Sequence, residues 1–293
     1  MADFAYSPMF PTTADTTEYE LVSSDHVRLV EMEGETFLRV DPEGLTLLAE
    51  RAFTDISHLL RSTHLGQLAD ILKDPEATKN DRFVALEMLK NAVISAEGLL
   101  PMCQDTGTAL VTGYRGDHVL VSGDDGEALS RGIYNTYQNC NLRFSQLAAH
   151  TMFDESNTAT NLPAQIEINA SKGLEYKFAF IQKGGGSANK AFLHQKTKAV
   201  LNPDSLRDFI RTAILELGTS ACPPYHLAIV IGGTSAELTM KTVKMASIKA
   251  LDNLPTEGNA LGHAWRDLDW EAQILQITRD LGIGAQFGGK YYC

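Results

Sequence analysis

The sequence lacks the features of a membrane or secreted protein. No apolar run approaches the ~20 residues that a helix needs to span a bilayer, and residues 1–24 have neither a basic start nor the apolar stretch of a signal peptide. Positive charge is also scarce, since 25 basic residues against 37 acidic ones leave a net charge of -12. Nucleic-acid binding needs a basic face. We therefore expect a cytoplasmic protein with no nucleic-acid or membrane partner, although a local cationic pocket could still hold a small anion.

Cysteine is rare and widely spaced. The four cysteines, Cys103, Cys140, Cys222 and Cys293, share no CxxC spacing, and they do not form the dense pattern of a disulfide-stapled domain. Taken singly, each fits a buried thiol that acts as a small hydrophobe. Another role has to be argued from the residues around each cysteine.

The first hundred residues are predicted to be mainly helical. Residues 1–25 are polar and are expected to form an arm, and residues 27–40 alternate about Glu33-Gly34 like a β-hairpin. A helix with Asp41 as its cap begins at Pro42 and carries an apolar stripe to Leu60. Two more helices are predicted, over 65–72 and from a cap near Asn80 to Gly98. The apolar residues of the last helix are Phe83, Leu86, Leu89 and Val93.

From residue 99 to residue 293 the pattern is that of an α/β region. Strands are predicted over 109–112, 118–122, 165–170, 176–181 and 227–231, and helices over 127–137, 203–217, 236–251 and 270–281. Gly113 and Gly116 are expected to join the first two strands, and Gly173 to form a turn between the next two. We predict one mixed α/β (α+β) fold, in which a helical N-terminal layer packs on a mixed, partly antiparallel sheet flanked by helices.

Three polar loops are candidates for chemistry, because loops held by rigid elements often carry functional sites. The first, 101–108, contains Cys103-Gln104-Asp105, although Asp105 and Gly107 could equally serve only to shape a turn. The second, 183–190, has three consecutive glycines, which suit either an anion-binding nest of N–H groups or a plain flexible turn. The third, 218–226, places two prolines directly after Cys222, a rigid setting for a metal-cluster thiolate.

Two separated thiolates favour an iron–sulfur cluster over zinc. Cys103 and Cys222 cannot complete a four-cysteine zinc site, and no histidine pair at zinc spacing lies near them. A cluster held by three thiolates leaves one iron open, and that iron can act as a Lewis acid toward a substrate carboxylate and hydroxyl. A third thiolate would have to come from elsewhere.

Several long motifs in the same order closely resemble the oxygen-sensitive class I fumarases. They are Cys103-Gln104-Asp105-Thr106-Gly107-Thr108, Lys183-Gly184-Gly185-Gly186-Ser187-Ala188-Asn189-Lys190, Cys222-Pro223-Pro224-Tyr225-His226 and Gly284-Ala285-Gln286-Phe287-Gly288-Gly289-Lys290. The resemblance spans nearly all of the chain. Segments 15–19 and 161–165 also resemble fumarases more than the shorter two-subunit tartrate dehydratases.

The resemblance implies hydration of fumarate to (S)-malate by a hydro-lyase whose four-iron four-sulfur cluster is held by Cys103, Cys222 and a third cysteine beyond this chain. It implies a catalytic role for Asp105, next to a threonine supplied by a C-terminal domain. Gln104, Arg143 and Gly186 correspond to positions around the substrate, where the planar fork of Arg143 would bind a carboxylate. Residues 1–293 are then the N-terminal, cluster-binding domain of a longer polypeptide that forms a homodimer, and alone they are expected to lack a stable cluster and activity.

Other interpretations of the same residues stay open at this point. The chain could be a related L-tartrate-type dehydratase domain, or a folded scaffold without activity of its own. Cys103 could also be a nucleophile with His226 as its base and Asp105 as the orienting group, as in thiol hydrolases. Arg143 could be a surface arginine. Cys140 matches no cluster ligand of the family, and Cys293 lies too early in the sequence to take the place of the third one.

Overall fold

A computed structural model describes residues 3–11 and 17–293, which divide into two compact units. The unit that we call the sheet unit comprises residues 19–69 and 86–189. The terminal unit comprises 70–85 and 190–293 together with the described part of the first 18 residues. The described residues before 27 contain no helix or strand, and residues 15 and 16 of the first fumarase-like segment lie outside the described part. The assignment of 1–293 to one cluster-binding domain stays a prediction.

The elements follow one another in mixed order. The strands are β1 (Val27–Met32), β2 (Glu35–Val40), β3 (Thr108–Gly116), β4 (Val119–Val121), β5 (Leu147–Ala149), β6 (Glu155–Asn157), β7 (Gln165–Ser171) and β8 (Tyr176–Lys183). The helices are α1 (Pro42–His58), α2 (Ser62–Lys73), α3 (Lys79–Ser95), α4 (Asp125–Asn139), α5 (Gly185–Ala188), α6 (Pro203–Leu217), α7 (Ala236–Ser247) and α8 (Leu268–Asp280). No helix among the described residues is long and apolar enough to cross a membrane.

The eight strands of the described residues all belong to the sheet unit and are arranged in three small sheets. Strand β2 lies between β1 and β4, and β3 lies between β7 and β8. The β2–β4 and β3–β7 pairs are parallel, whereas β1–β2, β3–β8 and β5–β6 are antiparallel. This arrangement confirms the predicted mixed α/β fold with a partly antiparallel sheet.

The core of the sheet unit lies between α1, α4 and the inner face of β3 and β8. Its fully buried side chains include Phe53, whose ring meets Phe180 edge-on with 5.7 Å between centroids. Each large apolar side chain buried in this way contributes about 1.5–3 kcal/mol. Helices α1 and α4 approach closely because Gly132 has no side chain: a Cβ there would lie 2.3 Å from the carbonyl oxygen of Thr46. The core therefore fixes the end of α1 and the start of β3, between which the first candidate loop runs.

The terminal unit is helical among its described residues. Ile210 and Ile214 of α6 pack with Ile277 of α8 and with Tyr292, which is fully buried. The hydroxyl of Tyr292 lies within hydrogen-bond distance of the carbonyl oxygens of Ile214 and Gly218, at 3.2 and 2.9 Å. The last residues of the chain thus form part of this core.

Several strand predictions were wrong because pairing is decided by residues far away in the chain. Segment 227–231 is not a strand, and Ile229 and Ile231 are exposed; an apolar β-branched run needs a neighbouring strand to pair with. Gly113 does not join two strands but lies inside β3, opposite Ile168 and Phe178. Gly173 does form a turn with φ +88°, but β7 and β8 are separated by β3 and form no hairpin.

Two helix caps and one helix face also differ from the predictions. Asp41 makes no side-chain cap for α1, and its carboxylate instead accepts from Ser122 Oγ at 3.2 Å. Asn80 lies inside α3, where Thr78 takes the cap role by accepting from the Asp81 N–H at 3.1 Å. The predicted apolar face of α3 is largely outward: Phe83, Leu86 and Val93 are exposed, whereas Ala85 and Ala92 are buried.

Candidate functional site

The loop that carries Cys103 is anchored at both ends within the sheet unit. At its start the Met102 N–H donates to the Ser57 carbonyl oxygen at 2.8 Å, and Asn91 Nδ2 donates to the Met102 carbonyl oxygen at 2.7 Å. At its end the chain enters β3, the central strand of its sheet. Between these anchors the Cys103 thiol is exposed and free. A thiol presented on a loop fixed at both ends is suited to hold an external group.

Both carboxylate oxygens of Asp105 are held by neighbouring residues. Oδ1 accepts from Arg143 Nη2 at 3.2 Å, and Oδ2 accepts from the Gly185 N–H at 2.8 Å. The Arg143 side chain is 59% exposed and that of Asp105 30% exposed. The structure therefore brings three of the predicted site segments together: the Asp105 loop, Arg143 and the glycine-rich turn. Gln104 lies exposed beside Asp105, and Gly186 lies partly exposed in the same short helix as Gly185.

The Asp105 loop and the glycine-rich turn lie so close that both need glycine. Gly107 has φ +67°, and a Cβ there would lie 2.1 Å from the Lys183 carbonyl oxygen. A Cβ at Gly184 would lie 2.9 Å from Asp105 Oδ2. The backbone of Gly184 itself is ordinary, with φ -63° and ψ 153°. Close approach, rather than positive φ, explains the glycine at position 184, and the Gly185 amide already binds a carboxylate, that of Asp105.

A buried tyrosine forms hydrogen bonds with the backbone of this loop. The Tyr137 hydroxyl lies 3.0 Å from the carbonyl oxygens of Thr106 and Gly107 and accepts from Gln182 Nε2 at 3.0 Å. The Oε1 of Gln182 in turn accepts from Ser57 Oγ at 3.1 Å. Burial raises the pKa of Tyr137 to about 12, so the hydroxyl keeps its proton and acts as a donor at neutral pH.

Two further buried contacts join the Asp105 loop to the segment that follows Arg143. Thr106 Oγ1 donates to the Arg143 carbonyl oxygen at 2.7 Å. Asn161 accepts from the backbone N–H groups of Ser145 and Gln146 and donates to the Gly107 carbonyl oxygen. No role for Tyr137 or Asn161 was predicted from the sequence. Asn161 does begin one of the fumarase-like segments, which was the available signal; Tyr137 offered none beyond its place at the end of a predicted helix.

Cys222 lies in the terminal unit, on a loop closed by a tyrosine. The Tyr225 hydroxyl donates to the Gly218 carbonyl oxygen at 3.0 Å and accepts from the Ala221 N–H at 3.1 Å. Cys222 has φ +60° and an exposed, free thiol. Cys293 is different, because burial raises the pKa of its thiol. Since Cys103 belongs to the sheet unit, the expectation that it holds one cluster together with Cys222 stays a prediction.

The Gly288-Gly289-Lys290 motif holds a carboxylate of the protein itself. Asp81 is 2% exposed and accepts from the N–H groups of Lys290 and Tyr291, at 3.1 and 3.2 Å. It also accepts from the N–H and hydroxyl of Thr78, at 2.9 and 2.7 Å. A Cβ at Gly289, where φ is +138°, would lie 2.2 Å from Asp81 Oδ1. This motif therefore fastens the end of the chain to the start of α3.

The exposed thiols fit part of a metal-cluster site. Cys103 and Cys222 are free, accessible and placed on fixed loops, as thiolate ligands to iron need to be. In the part of the chain that the structure describes, no group of three or more His, Cys, Asp or Glu side chains could hold a metal ion. The chain thus offers suitable donors but not a closed set within one unit.

The thiol-hydrolase interpretation gains no support from Asp105. Its carboxylate contacts are Arg143 and Gly185 rather than an imidazole. The hydrogen bonds of Asp105 therefore do not indicate that it orients a histidine.

Comparison with known proteins agrees with the motifs. The family model described as fumarate hydratase (Fumerase) matches residues 46–293. The anaerobic class I fumarate hydratase of Escherichia coli K12 is 55% identical over 99% of this chain and 53% of its own length. The mitochondrial fumarate hydratase 1 of Leishmania major is 54% identical over 100% of this chain and 54% of its own length. A putative L(+)-tartrate dehydratase subunit alpha of Methanocaldococcus jannaschii is 27% identical over 68% of each chain. The chain spans about half the length of the fumarate hydratases that it matches.

Proposed function

Because the chain belongs to the fumarate hydratase (Fumerase) family, we propose that it carries part of the active site for the reversible hydration of fumarate to (S)-malate. The observation that carries this proposal is the meeting of Asp105, Arg143 and the Gly185 amide on and around the loop that presents the Cys103 thiol. Such a constellation offers a cation for a dicarboxylate, a fixed carboxylate for proton handling and a thiolate for a cluster.

In this proposal Arg143 binds a carboxylate of fumarate or malate. Its Nη2 group already contacts one carboxylate, that of Asp105, at 3.2 Å. More than half of the side chain is exposed, and among the described residues its remaining N–H groups have no protein acceptor. A planar guanidinium fork suits a second carboxylate. Gln104, which follows Cys103 and precedes Asp105, and Gly186, which follows Gly185, are proposed to complete the substrate contacts.

Asp105 is proposed to handle the proton that the hydration moves. Its two carboxylate oxygens are fixed by Arg143 and Gly185, so the group is oriented before substrate arrives, and preorganised charge stabilises a transition state without reorganisation. By resemblance to the family, the carboxylate would accept a hydrogen bond from a threonine hydroxyl of a further region and thereby favour loss of the hydroxyl proton.

The proposed cofactor is a four-iron four-sulfur cluster. Cys103 and Cys222 would hold it together with a third thiolate from a further region, which corresponds to the part of the relatives' length that this chain does not match. When bound, the cluster would supply a Lewis acid for the carbon–oxygen bond of malate. This chain's residues would bind and orient the dicarboxylate and hold the proton at Asp105.

The test is anaerobic reconstitution with iron and sulfide of the polypeptide that contains this chain and the further region. We expect cluster absorbance and conversion of fumarate to malate. Cys103→Ser and Cys222→Ser should each lose both, because a serine oxygen is a poor ligand for iron in a cluster. Cys140→Ser is the matched control: Cys140 is partly buried, and its thiol lies 3.8 Å from Thr54 Oγ1. It should keep cluster and activity.

Two other results would contradict the proposal. Substantial activity in Cys103→Ser or Cys222→Ser would remove that residue from the ligand set. Failure of the parent protein to bind iron and sulfide at all would favour an inactive scaffold. L(+)-tartrate is the comparison substrate, since a putative tartrate dehydratase subunit is among the relatives. Fumarate is the preferred substrate because the fumarate hydratases are 54–55% identical to this chain, against 27% for that subunit.

A further inference from the structure

Asn161 is a fully buried amide between two loop segments of the sheet unit. It is 0% exposed, and its backbone has φ +55°, a left-handed conformation that asparagine tolerates better than most residues. Its Oδ1 accepts from the N–H groups of Ser145 and Gln146, at 2.7 and 3.0 Å. Its Nδ2 donates to the Gly107 carbonyl oxygen at 3.1 Å. These partners fix the orientation of the amide, because only its oxygen can accept and only its nitrogen can donate.

The two segments that Asn161 joins are those of Asp105 and Arg143. Gly107 follows Asp105 by two residues, and Ser145 follows Arg143 by two residues. The Asp105–Arg143 ion pair itself is largely open to water, and exposed ion pairs do little to hold a geometry. The two segments are instead held together by buried hydrogen bonds: those of Asn161, and the one that Thr106 donates to the Arg143 carbonyl oxygen. These bonds therefore fix the separation of the Asp105 and Arg143 side chains.

We infer that Asn161 is a positioning residue that holds Arg143 at its distance from Asp105 and so sets the affinity for the dicarboxylate. This inference rests on the proposed function of Arg143. Segment 143–146 belongs to no helix or strand, so the N–H groups of Ser145 and Gln146 rely on Asn161 rather than on a regular ladder. Without that anchor the guanidinium would move, and small misplacements of a binding group have large effects on catalysis.

The test compares substitutions of Asn161 in the polypeptide that contains this chain and the further region. Asn161→Gly keeps the left-handed backbone without strain and removes all three side-chain hydrogen bonds. We expect KM for fumarate to rise about tenfold with kcat within about threefold, because a carboxylate contact is made in both the ground state and the transition state. Asn161→Asp keeps the oxygen that accepts from residues 145 and 146 but places a second acceptor oxygen against the Gly107 carbonyl oxygen, so it should also raise KM.

Asn169→Gly is the matched control. Asn169 also donates its side-chain N–H to a glycine carbonyl of β3, that of Gly113, at 3.2 Å, but it lies away from Asp105 along the strand. KM and kcat should stay at parental values. A double variant, Asn161→Gly with Arg143→Lys, should have a KM close to that of Arg143→Lys alone, because both changes act through the same contact.

The readouts separate this inference from the proposed function. Amide hydrogen exchange at Gly185, whose N–H binds Asp105, can be measured on this chain without substrate, and it should accelerate in Asn161→Gly but not in Asn169→Gly. If the parent protein hydrates no fumarate, the proposed function fails. The exchange rate of the Gly185 amide still tests whether Asn161 positions the Asp105 and Arg143 segments. Parental KM and parental Gly185 exchange in Asn161→Gly would overturn the inference, as would additive KM increases in the double variant. If Asn161→Gly does not fold, parental values in Asn161→Asp would overturn it.

Discussion

Alanine at position 184 should disturb Asp105, whereas alanine at position 185 should not. A Cβ on Gly184 would lie 2.9 Å from Asp105 Oδ2 and 3.2 Å from the Asp105 carbonyl oxygen, while a Cβ on Gly185 would lie 3.8 Å from Oδ2. The Gly184 backbone, with φ -63°, accepts alanine without strain. The steric effect therefore acts on the carboxylate, which has to move away from the Gly185 N–H that now lies at 2.8 Å.

The size of the effect follows from the contact that is weakened. A hydrogen bond to a charged group contributes about 1.5–3 kcal/mol, and replacing glycine by alanine recovers about 0.4–1 kcal/mol from the unfolded chain. Gly184→Ala should therefore cost about 1–2 kcal/mol. Gly185→Ala loses no contact and should be neutral or stabilising by up to about 1 kcal/mol. The two variants should differ by about 2 kcal/mol.

Urea unfolding of the parent chain and both variants measures this difference. The free energies of unfolding should rank Gly185→Ala at or above the parent and Gly184→Ala below it. In the fumarate assay, kcat/KM should fall for Gly184→Ala only, since Asp105 is displaced there. Equal stabilities for the two variants, or a less stable Gly185→Ala, would refute the role assigned to close approach at Gly184.

Local signals predicted many of the elements well. The Glu33-Gly34 turn between β1 and β2 has positive φ at both residues, as a two-residue hairpin turn requires. The helix predicted over 203–217 has those bounds in the structure, with Asn202 as its cap through a bond to the Ser205 N–H. Caps, prolines and turn glycines act within a few residues, so the sequence alone displays them.

Pairing and burial depend on distant residues and were predicted less well. The run at 227–231 has the composition of a buried strand, but composition supplies no partner strand. The position of β3 between β7 and β8 likewise follows from contacts across more than fifty residues. On α3 the larger apolar side chains face outward and the alanines inward, which an apolar stripe cannot distinguish when both faces carry apolar residues.

In the candidate site, too, local sequence features predicted some residues, whereas residues with distant partners were missed. Cysteine and glycine in polar loops marked segments 101–108 and 183–190 from composition, and the structure brings Asp105, Arg143 and Gly185 into contact. The residues that hold these loops were not marked, because their partners are distant: Asn161 and Gly107 lie 54 positions apart. The glycine-rich turn suited either an anion-binding nest or a plain flexible turn, and its Gly185 N–H donates to the protein's own carboxylate, that of Asp105. A substrate contact at Gly186 stays a prediction.

Arg143 and Asp81 provide the remaining predictions. Arg143→Lys should raise KM for fumarate by about tenfold or more, equivalent to about 1.4 kcal/mol, and an unchanged KM would place Arg143 outside the site. Asp81→Asn should show a stability difference that depends on pH. Burial acts to raise the pKa of Asp81, but hydrogen bonds from the Lys290 N–H and from Thr78 outweigh it, and the net pKa is lowered. Because the pKa of Asp81 is lowered in the folded state, its carboxylate stabilises the fold fully above the unfolded carboxyl pKa of about 3.9. This contribution to stability is lost as pH falls through the lower pKa of the folded state. In urea unfolding, the free energies of unfolding of the parent and of Asp81→Asn should differ by a constant amount from about pH 7 to 5 and should converge below about pH 4. A difference that widens on acidification would mean that Asp81 is not stabilised as a carboxylate.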